Sequence, residues 1–134
     1  MAKSIVVTGA GVSGMAAAVT AASFGATVTL LEKKEQPGKK LQITGNGQGN
    51  YGNLYMAVKH YKGHNTTFLN DVLRRETIEN TIDWFESAGM LSISKKSYLY
   101  PSTRSAITLV QTLKKRLSEL SVQVVTNCTV ESVK

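Results

Sequence analysis

Three glycines and one glutamate near the N-terminus have the types and spacing that suit nucleotide binding. Gly9, Gly11 and Gly14 form a G-x-G-x-x-G pattern, and Glu32 follows at close to the spacing of about 20 residues expected for a ribose-binding carboxylate. In this pattern the first glycine permits a tight turn, the second lets the backbone approach a pyrophosphate, and the third allows close helix–strand packing. The sequence therefore predicts recognition of a dinucleotide.

The surrounding residues predict the βαβ unit that this pattern requires. A β-type run at 4–8 leads into the glycines, a helix of small residues follows, Gly25 ends it, and a second strand runs over 27–31. The helix N-terminus offers free N–H groups to phosphates. Glu32 is expected to accept hydrogen bonds from ribose hydroxyls and to repel a 2′-phosphate, which disfavours an NADP-type ligand. The alternative is a βαβ unit that binds no nucleotide.

The length of 134 residues allows one domain. A doubly wound dinucleotide-binding domain usually has five or six parallel strands, whereas this chain offers plausible parallel strands only at 4–8, 27–31 and 122–126. We therefore expect an incomplete Rossmann-like α/β fold. On this interpretation residues 1–134 are the N-terminal part of a nucleotide-binding domain in a longer protein, completed by a C-terminal region or a partner chain.

The composition disfavours several other classes of protein. The net charge is +7, but the lysine pairs are scattered and no aromatic platform accompanies them, so we expect no nucleic-acid partner. No apolar run is long enough to span a membrane, and we expect no membrane partner. The single cysteine, Cys128, cannot form an intramolecular disulfide, which fits a cytoplasmic location.

The rest of the chain predicts a long loop followed by inserted helices. The loop covers 33–53, and its glycines and asparagines suit an anion-binding nest or a surface against a planar ligand, or a mobile tether. A short helix is expected over 54–61, a longer one over 76–88, and a hairpin over 90–100. Ser102 or Thr103 is expected to cap a last helix, whose apolar side has Ile107, Val110, Leu113, Leu117 and Leu120.

The sequence contains no motif that identifies catalytic or metal-ligating residues. There is no catalytic triad or carboxylate pair, so the catalytic residues stay unassigned and any chemistry is expected to belong to a cofactor. His60 and His64 have the spacing of a metal pair, but no acidic or cysteine partner stands beside them and Gly63 interrupts the helix. We therefore expect no metal site.

Two longer patterns resemble known flavoproteins. The extended fingerprint of FAD-binding proteins of the glutathione-reductase type is matched at Gly9, Gly11, Gly14, Ala18, Gly25, Val28 and Glu32. The run from Pro37 to Gly47, PGKKLQITGNG, is similar to the signature of the HI0933-like family of flavoproteins, which are NAD(P)/FAD-dependent oxidoreductases of aminoacetone oxidase-like or bile-acid reductase-like type. The resemblance covers the whole chain, and this loop is its most specific part.

The resemblance implies FAD as the cofactor, NAD(P)H as a candidate electron donor, and hydride transfer through the flavin to a substrate that the sequence does not identify. The implied FAD-binding positions are Gly9, Gly11, Val12, Ser13, Gly14, Glu32, Lys33, Lys40, Thr44, Gly45, Asn46, Gly47, Asn50 and Val130. The loop departs from the family pattern at Gln48 and Gly49, which stand where an arginine and a cysteine are usual. No role of those two residues is carried over.

Overall fold

A three-stranded parallel sheet forms the base of the fold in a computed structural model that describes residues 3–133. The strands are β1 (Ser4–Thr8), β2 (Thr27–Leu31) and β6 (Gln123–Val125), in the order β1-β2-β6. Val6 is level with Thr29, and Leu31 is level with Val125. All three predicted parallel strands are thus present, and the carboxyl ends of β1 and β2 lie side by side.

Helix α1 (Val12–Ser23) connects β1 to β2 and ends as the sequence predicts. Gly25 has a φ of +84°, a conformation that glycine adopts without steric cost. The Gly25 N–H donates to the Ala22 carbonyl at 2.9 Å, and the Ala26 N–H donates to the Ala21 carbonyl at 3.2 Å. These two bonds form a Schellman cap, which turns the chain directly into β2.

Helix α4 (Ala106–Glu119) packs beside α1 on one face of this sheet and closes the hydrophobic core. The alternating side chains of β2 point Val28 and Leu30 toward the helices. The core members contributed by the two helices are Met15, Ala18, Val19, Leu109, Leu113 and Leu117. The opposite face of the sheet is open at Val6, which is 61% exposed.

A second, antiparallel sheet lies in the later part of the chain. Its strands β3 (Gly52–Asn53), β4 (Ser92–Lys95) and β5 (Tyr98–Pro101) have the order β3-β5-β4. The predicted hairpin is β4–β5, and its turn residues Lys96 and Ser97 have φ values of +49° and +69°. Pairing of β3 with β5 anchors the end of the long loop, so that loop is held at a defined position beside the hairpin.

Helices α2 (Thr67–Arg75) and α3 (Ile78–Ser87) form the insertion between β3 and β4. The Thr77 hydroxyl caps α3 by accepting from the Asn80 N–H at 3.3 Å. The short helix expected over 54–61 is reduced to one 3-10 turn, Val58–His60, and another 3-10 turn, Leu41–Ile43, lies in the long loop.

The prediction for the start of α4 is wrong in two respects. The N-cap is Ser105 rather than Ser102 or Thr103, because Arg104 takes a left-handed conformation with φ +50° and delays the helix. The buried face contains Leu109, whereas Ile107 is 55% exposed. Residues 129–133, which follow β6, belong to no helix or strand.

Candidate functional site

The first glycines form a tight turn between β1 and α1. Gly9 has a φ of +90°, and its N–H donates to the Leu31 carbonyl at 2.7 Å, which ties the turn to the end of β2. A Cβ on Gly14 would lie 1.8 Å from the Gly9 carbonyl oxygen, so the helix can lie this close only with glycine there. Gly9 and Gly14 therefore have the backbone roles expected of them, and their contact with a nucleotide stays a prediction.

Gly11 leaves the N-terminus of α1 bare. It is the N-cap residue, with φ −75° and ψ −178°, and no side chain caps the helix. A Cβ at Gly11 would meet nothing within 4 Å. Val12 and Ser13 follow in the first turn and are exposed. Because the first N–H groups of a helix lack intrahelical acceptors and carry partial positive charge, this end of α1 is suited to an anion.

Glu32 lies at the end of β2, with its side chain turned toward the glycine turn. It is only 9% exposed. Its Oε2 accepts a hydrogen bond from the Ala10 N–H at 2.7 Å, and its Oε1 accepts one from the Lys34 N–H at 2.8 Å. The carboxylate thus joins the glycine turn to the start of the long loop, a role that the sequence does not reveal.

The same contacts fix the charge of Glu32. The hydrogen bond from the Lys34 N–H is the largest influence and lowers the carboxyl pKa below its ordinary value of 4.5. The Ala10 N–H and the positive charge of Lys33 lower the pKa further, while burial opposes them. Glu32 is therefore ionised at neutral pH. An ionised carboxylate has about four acceptor positions, so it keeps capacity for ribose hydroxyls.

Two adjoining clefts meet at Glu32. The first, which we call the basic cleft, has a volume of about 280 Å³ and is lined by Ala10, Gly11, Glu32, Lys33, Lys34, Gln36, Lys39 and Lys40. The second, the strand-end cleft, has a volume of about 390 Å³ and is lined by Thr8, Gly9, Leu31, Glu32, Lys33, Cys128, Thr129 and Val130. Glu32 and Lys33 belong to both, so Lys40 and Val130 lie on either side of one carboxylate.

The glycine loop, defined here as residues 44–50, forms the next part of the candidate site. Gly45, Asn46, Gly47 and Gly49 all have positive φ, and the first three are exposed. The Thr44 hydroxyl donates to the Asn50 carbonyl at 3.3 Å and closes the loop. The Asn50 amide donates to the carbonyls of Gly52 and Leu99, both at 3.1 Å, and so fastens the loop to the second sheet.

A larger apolar cavity lies between α1, α3, α4 and the glycine loop. Its volume is about 600 Å³, and its walls include Val12, Thr44 and Asn50 from the predicted site. Trp84 and Phe85 also line it, with ring centroids 5.0 Å apart at 89°. Phe85 is 6% exposed and belongs to the core.

Most of the predicted residues line one of three neighbouring cavities, and the others lie on the backbone beside them. Glu32, Lys33 and Val130 meet at the strand-end cleft, while Gly11, Lys33 and Lys40 meet at the basic cleft. Val12, Thr44 and Asn50 meet at the apolar cavity. Gly45, Asn46 and Gly47 lie in the exposed part of the glycine loop, and Ser13 lies on the exposed first turn of α1.

Three residues of this region were missed from the sequence. Ala10 is fully buried. Its backbone N–H donates to the Glu32 carboxylate, and its carbonyl accepts from the Gly38 N–H. Lys34 contributes a backbone N–H, for which the sequence contains no signal. Cys128 lines the strand-end cleft, and its position just after β6 is a signal that could have found it, since ligands of open α/β sheets bind at carboxyl ends of strands.

The described part of the chain contains neither a cluster of metal-binding side chains nor a membrane-spanning helix. Residues 3–133 contain no group of three or more histidine, cysteine, aspartate or glutamate side chains able to hold a metal ion. Over the same residues, no helix combines the length and the apolar character that a membrane crossing needs.

Two proteins of known activity are similar to this chain in sequence. A 3-dehydro-bile acid delta(4,6)-reductase from Clostridium scindens is 37% identical over 128 residues, which are 94% of this chain and 31% of that protein. A ribosomal RNA dihydrouridine synthase from Escherichia coli is 32% identical over 85 residues, 63% of this chain and 21% of that protein. The chain therefore spans about a third or less of the length of these relatives.

Solved structures show the same fold at low sequence identity. A 3-ketosteroid-delta4-(5alpha)-dehydrogenase from Rhodococcus jostii RHA1 superposes with a TM-score of 0.63 at 16% identity, over 93% of this chain and 38% of that one. The THI4 protein of Thermovibrio ammonificans gives a TM-score of 0.62 at 15% identity, with the same coverage. These two likenesses bear on the fold alone.

The family match covers almost the entire sequence. Residues 3–134 match the family described as the HI0933-like protein Rossmann domain. This match confirms the expected family, in agreement with the 37% identical relative, and together with the two solved structures it confirms the expected Rossmann-like α/β fold. The chain belongs to the HI0933-like family of flavoproteins, whose Rossmann domain it matches over residues 3–134.

Proposed function

We propose that this chain is the FAD-binding part of a flavin-dependent oxidoreductase. One observation carries the proposal: Gly11, at the bare N-terminus of α1, lines the same cleft as Glu32, Lys33 and Lys40. Helix N–H groups and lysines suit a pyrophosphate, and an ionised carboxylate suits ribose hydroxyls. The donors and acceptors that a dinucleotide needs are thus gathered at one place.

The order of these groups along the surface supports an extended FAD. We place the adenine against Val130, the adenosine ribose at Glu32, and the pyrophosphate at the first turn of α1, Gly11–Gly14. The flavin side then runs toward Lys40 and the glycine loop, where Thr44, Gly45, Asn46, Gly47 and Asn50 offer backbone and side-chain polar groups. A ligand with a 2′-phosphate is disfavoured, because that phosphate would meet the ionised Glu32.

The chemistry we propose is hydride transfer. FAD supplies the ability to accept or deliver a hydride when it is bound. The residues of this chain bind and orient it, and none of them is assigned a catalytic role. We further propose NAD(P)H as electron donor and a cytoplasmic location, the latter supported by the single cysteine.

The substrate is not assigned to residues of this chain. One relative is named as a reductase of a 3-dehydro-bile acid and another as a synthase of dihydrouridine in ribosomal RNA. Substrates of such different size point to selection by residues outside the Rossmann domain that these relatives share with this chain. We therefore place substrate recognition in the further part of a longer protein.

The alternative proposal is a non-catalytic nucleotide-binding fragment that needs a further segment or a partner chain to hold FAD. The uncovered face of the parallel sheet, on which Ser4, Val6 and Thr8 are exposed, favours this alternative, since parallel sheets usually have both faces covered by other elements. In that case purification should yield a second polypeptide, or a protein that takes up no flavin.

Titration with nucleotides tests the proposal and separates these alternatives. The purified protein is titrated with FAD, NAD and NADP, followed by flavin absorbance and by thermal shift. Ligand at 100 times its Kd adds about 2.7 kcal/mol to stability, so FAD should raise the melting temperature clearly and NADP should not. A larger shift with NAD than with FAD contradicts the flavin assignment, and no shift with any nucleotide favours the fragment.

A further inference from the structure

The glycine loop lies directly on the first residue of α4. The Ala106 N–H, at the start of the helix, donates to the Gly47 carbonyl at 2.8 Å. A Cβ added at Gly49 would lie 2.9 Å from the Ala106 Cα atom. The backbone of the loop and the backbone of the helix are therefore in contact at this point, and a side chain at position 49 has no room.

One side-chain contact joins the glycine loop to the turn between β5 and α4. The Arg104 guanidinium donates a hydrogen bond from Nη2 to the Gln48 Oε1 atom. Arg104 is held in position by its own turn, because its N–H donates to the Pro101 carbonyl at 2.8 Å and its φ is +50°. The residue thus extends from the end of β5 to a loop that lies far from it in the sequence.

The loop needs such a contact because its glycines give the backbone unusual conformational freedom. Gly47 and Gly49 flank Gln48 and both have φ +77°. Glycine loses more conformational freedom on ordering than any other residue, so holding this loop in one conformation is costly. Gln48 lies between these two glycines and has a side chain, which they lack. Another element can therefore hold this part of the loop through a hydrogen bond to that side chain.

We propose that Gln48 and Arg104 form a clasp that holds the glycine loop in the conformation that receives FAD. The inference rests on the proposed FAD site, to which the same loop contributes Thr44, Gly47 and Asn50. Arg104 is a positioning residue, acting on the ligand through Gln48 and the loop backbone. An ordered loop binds more tightly because less entropy is lost on binding.

A double-mutant cycle tests the clasp in FAD binding. Gln48→Ala and Arg104→Ala should each raise the Kd for FAD about fivefold, the size expected for one hydrogen bond to a charged donor at a partly exposed position. The double variant should bind FAD no more weakly than either single variant, because both remove the same interaction. Additive losses, or no loss in either single variant, overturn the clasp.

Two further variants separate the clasp from a general effect of charge. Arg104→Lys keeps a charged donor and should retain a Kd close to that of the wild type, while Arg74→Ala removes an exposed arginine on α2 and should change nothing. Gln48→Ala leaves the Arg104 charge in place and should still weaken binding. A loss in Arg74→Ala equal to that in Arg104→Ala indicates charge alone and overturns the clasp.

Hydrogen exchange tests the same clasp without FAD. The Gln48 and Gly49 amides donate within the loop at 3.1 and 3.0 Å, so their exchange reports loop opening. Both alanine variants should speed exchange of these amides severalfold while the ligand-free melting temperature stays within about 2 °C of the wild type. Unchanged exchange overturns the clasp. If the wild-type protein binds no FAD, the proposed function fails, and this measurement still decides the clasp.

Discussion

Glu32 and Ala10 are joined by a hydrogen bond of 2.7 Å from the Ala10 N–H to the Glu32 Oε2 atom. Twenty-two positions separate the two residues, and the bond connects the end of β2 to the turn after β1. The residue predicted to bind the ribose therefore also shapes the turn predicted to bind the pyrophosphate. Loss of its charge should disturb stability as well as ligand binding.

Replacement of Glu32 by glutamine tests this structural role. Glu32→Gln keeps the size of the side chain, but its amide NH₂ group must face one of the two backbone donors. We expect a loss of about 1.5–3 kcal/mol in the free energy of unfolding, as for hydrogen bonds to charged groups. Urea denaturation measures the loss. Glu35→Gln is the control, because Glu35 is exposed and only forms an ion pair with Lys39 at 3.4 Å. Equal losses in both variants contradict the role of Glu32.

Acidification should remove the contribution of the Glu32 carboxylate to the free energy of unfolding. The pKa of Glu32 in the folded protein lies below its ordinary value of 4.5, chiefly because the Lys34 N–H binds the charged form. A group with a lowered folded pKa stabilises the fold fully at pH values above its unfolded pKa, and this stabilisation is lost as the pH falls through the folded pKa. The difference in unfolding free energy between the wild type and Glu32→Gln should therefore be constant near neutrality and shrink below about pH 4.5. A difference that grows on acidification contradicts the assignment.

Gly14 and Gly11 should differ sharply in their tolerance of alanine. A Cβ at Gly14 would overlap the Gly9 carbonyl oxygen at 1.8 Å, so Gly14→Ala should cost at least about 3 kcal/mol or prevent folding. A Cβ at Gly11 meets open space, and its φ of −75° suits alanine, so Gly11→Ala should cost no more than about 1 kcal/mol. Circular dichroism and thermal melting of the two variants give the comparison. Equal melting temperatures contradict the packing described for Gly14.

Cys128 provides a chemical probe of the strand-end cleft. It is the single cysteine of the chain, it is half-buried, and it lines the cleft beside Glu32 and Val130. At an FAD concentration of about ten times the wild-type Kd, FAD with its adenosine in this cleft should cover the thiol and slow its alkylation about tenfold, since only about a tenth of the protein then remains free. Mass spectrometry follows the labelling. The Gly11→Ala variant at the same FAD concentration is the control and should lose most of the protection. Undiminished labelling of the FAD-bound wild type places the adenosine elsewhere.

The βαβ unit could be predicted because its determinants are local. Ser4–Thr8, the glycines and Gly25 specify their own turns and caps, and the structure has the strands and the helix end where the sequence indicates them. The hairpin could be predicted for the same reason, because Lys96 and Ser97 lie between two runs of strand-forming residues. These elements depend little on contacts from distant parts of the chain.

The rest of the site depends on contacts that no local pattern encodes. The start of α4 was misplaced because Arg104 takes a left-handed conformation that delays the helix, and because the N–H of Ala106 finds its acceptor at Gly47, far away in the sequence, instead of at a capping side chain. Strand β3 is only two residues long, Gly52–Asn53, and exists through its pairing with β5. The backbone partners of Glu32 follow from the path of two turns, which residue types alone do not specify.

FAD titration of the wild type beside Gly11→Ala decides whether the dinucleotide binds at the N-terminus of α1. Gly11→Ala should fold like the wild type, but its methyl group would occupy the space that we assign to the pyrophosphate. We predict that the wild type binds FAD and that Gly11→Ala binds it at least about tenfold more weakly, the effect of one steric conflict of 1.4 kcal/mol or more. Equal affinity of the two proteins for FAD would contradict the placement of the dinucleotide at the N-terminus of α1.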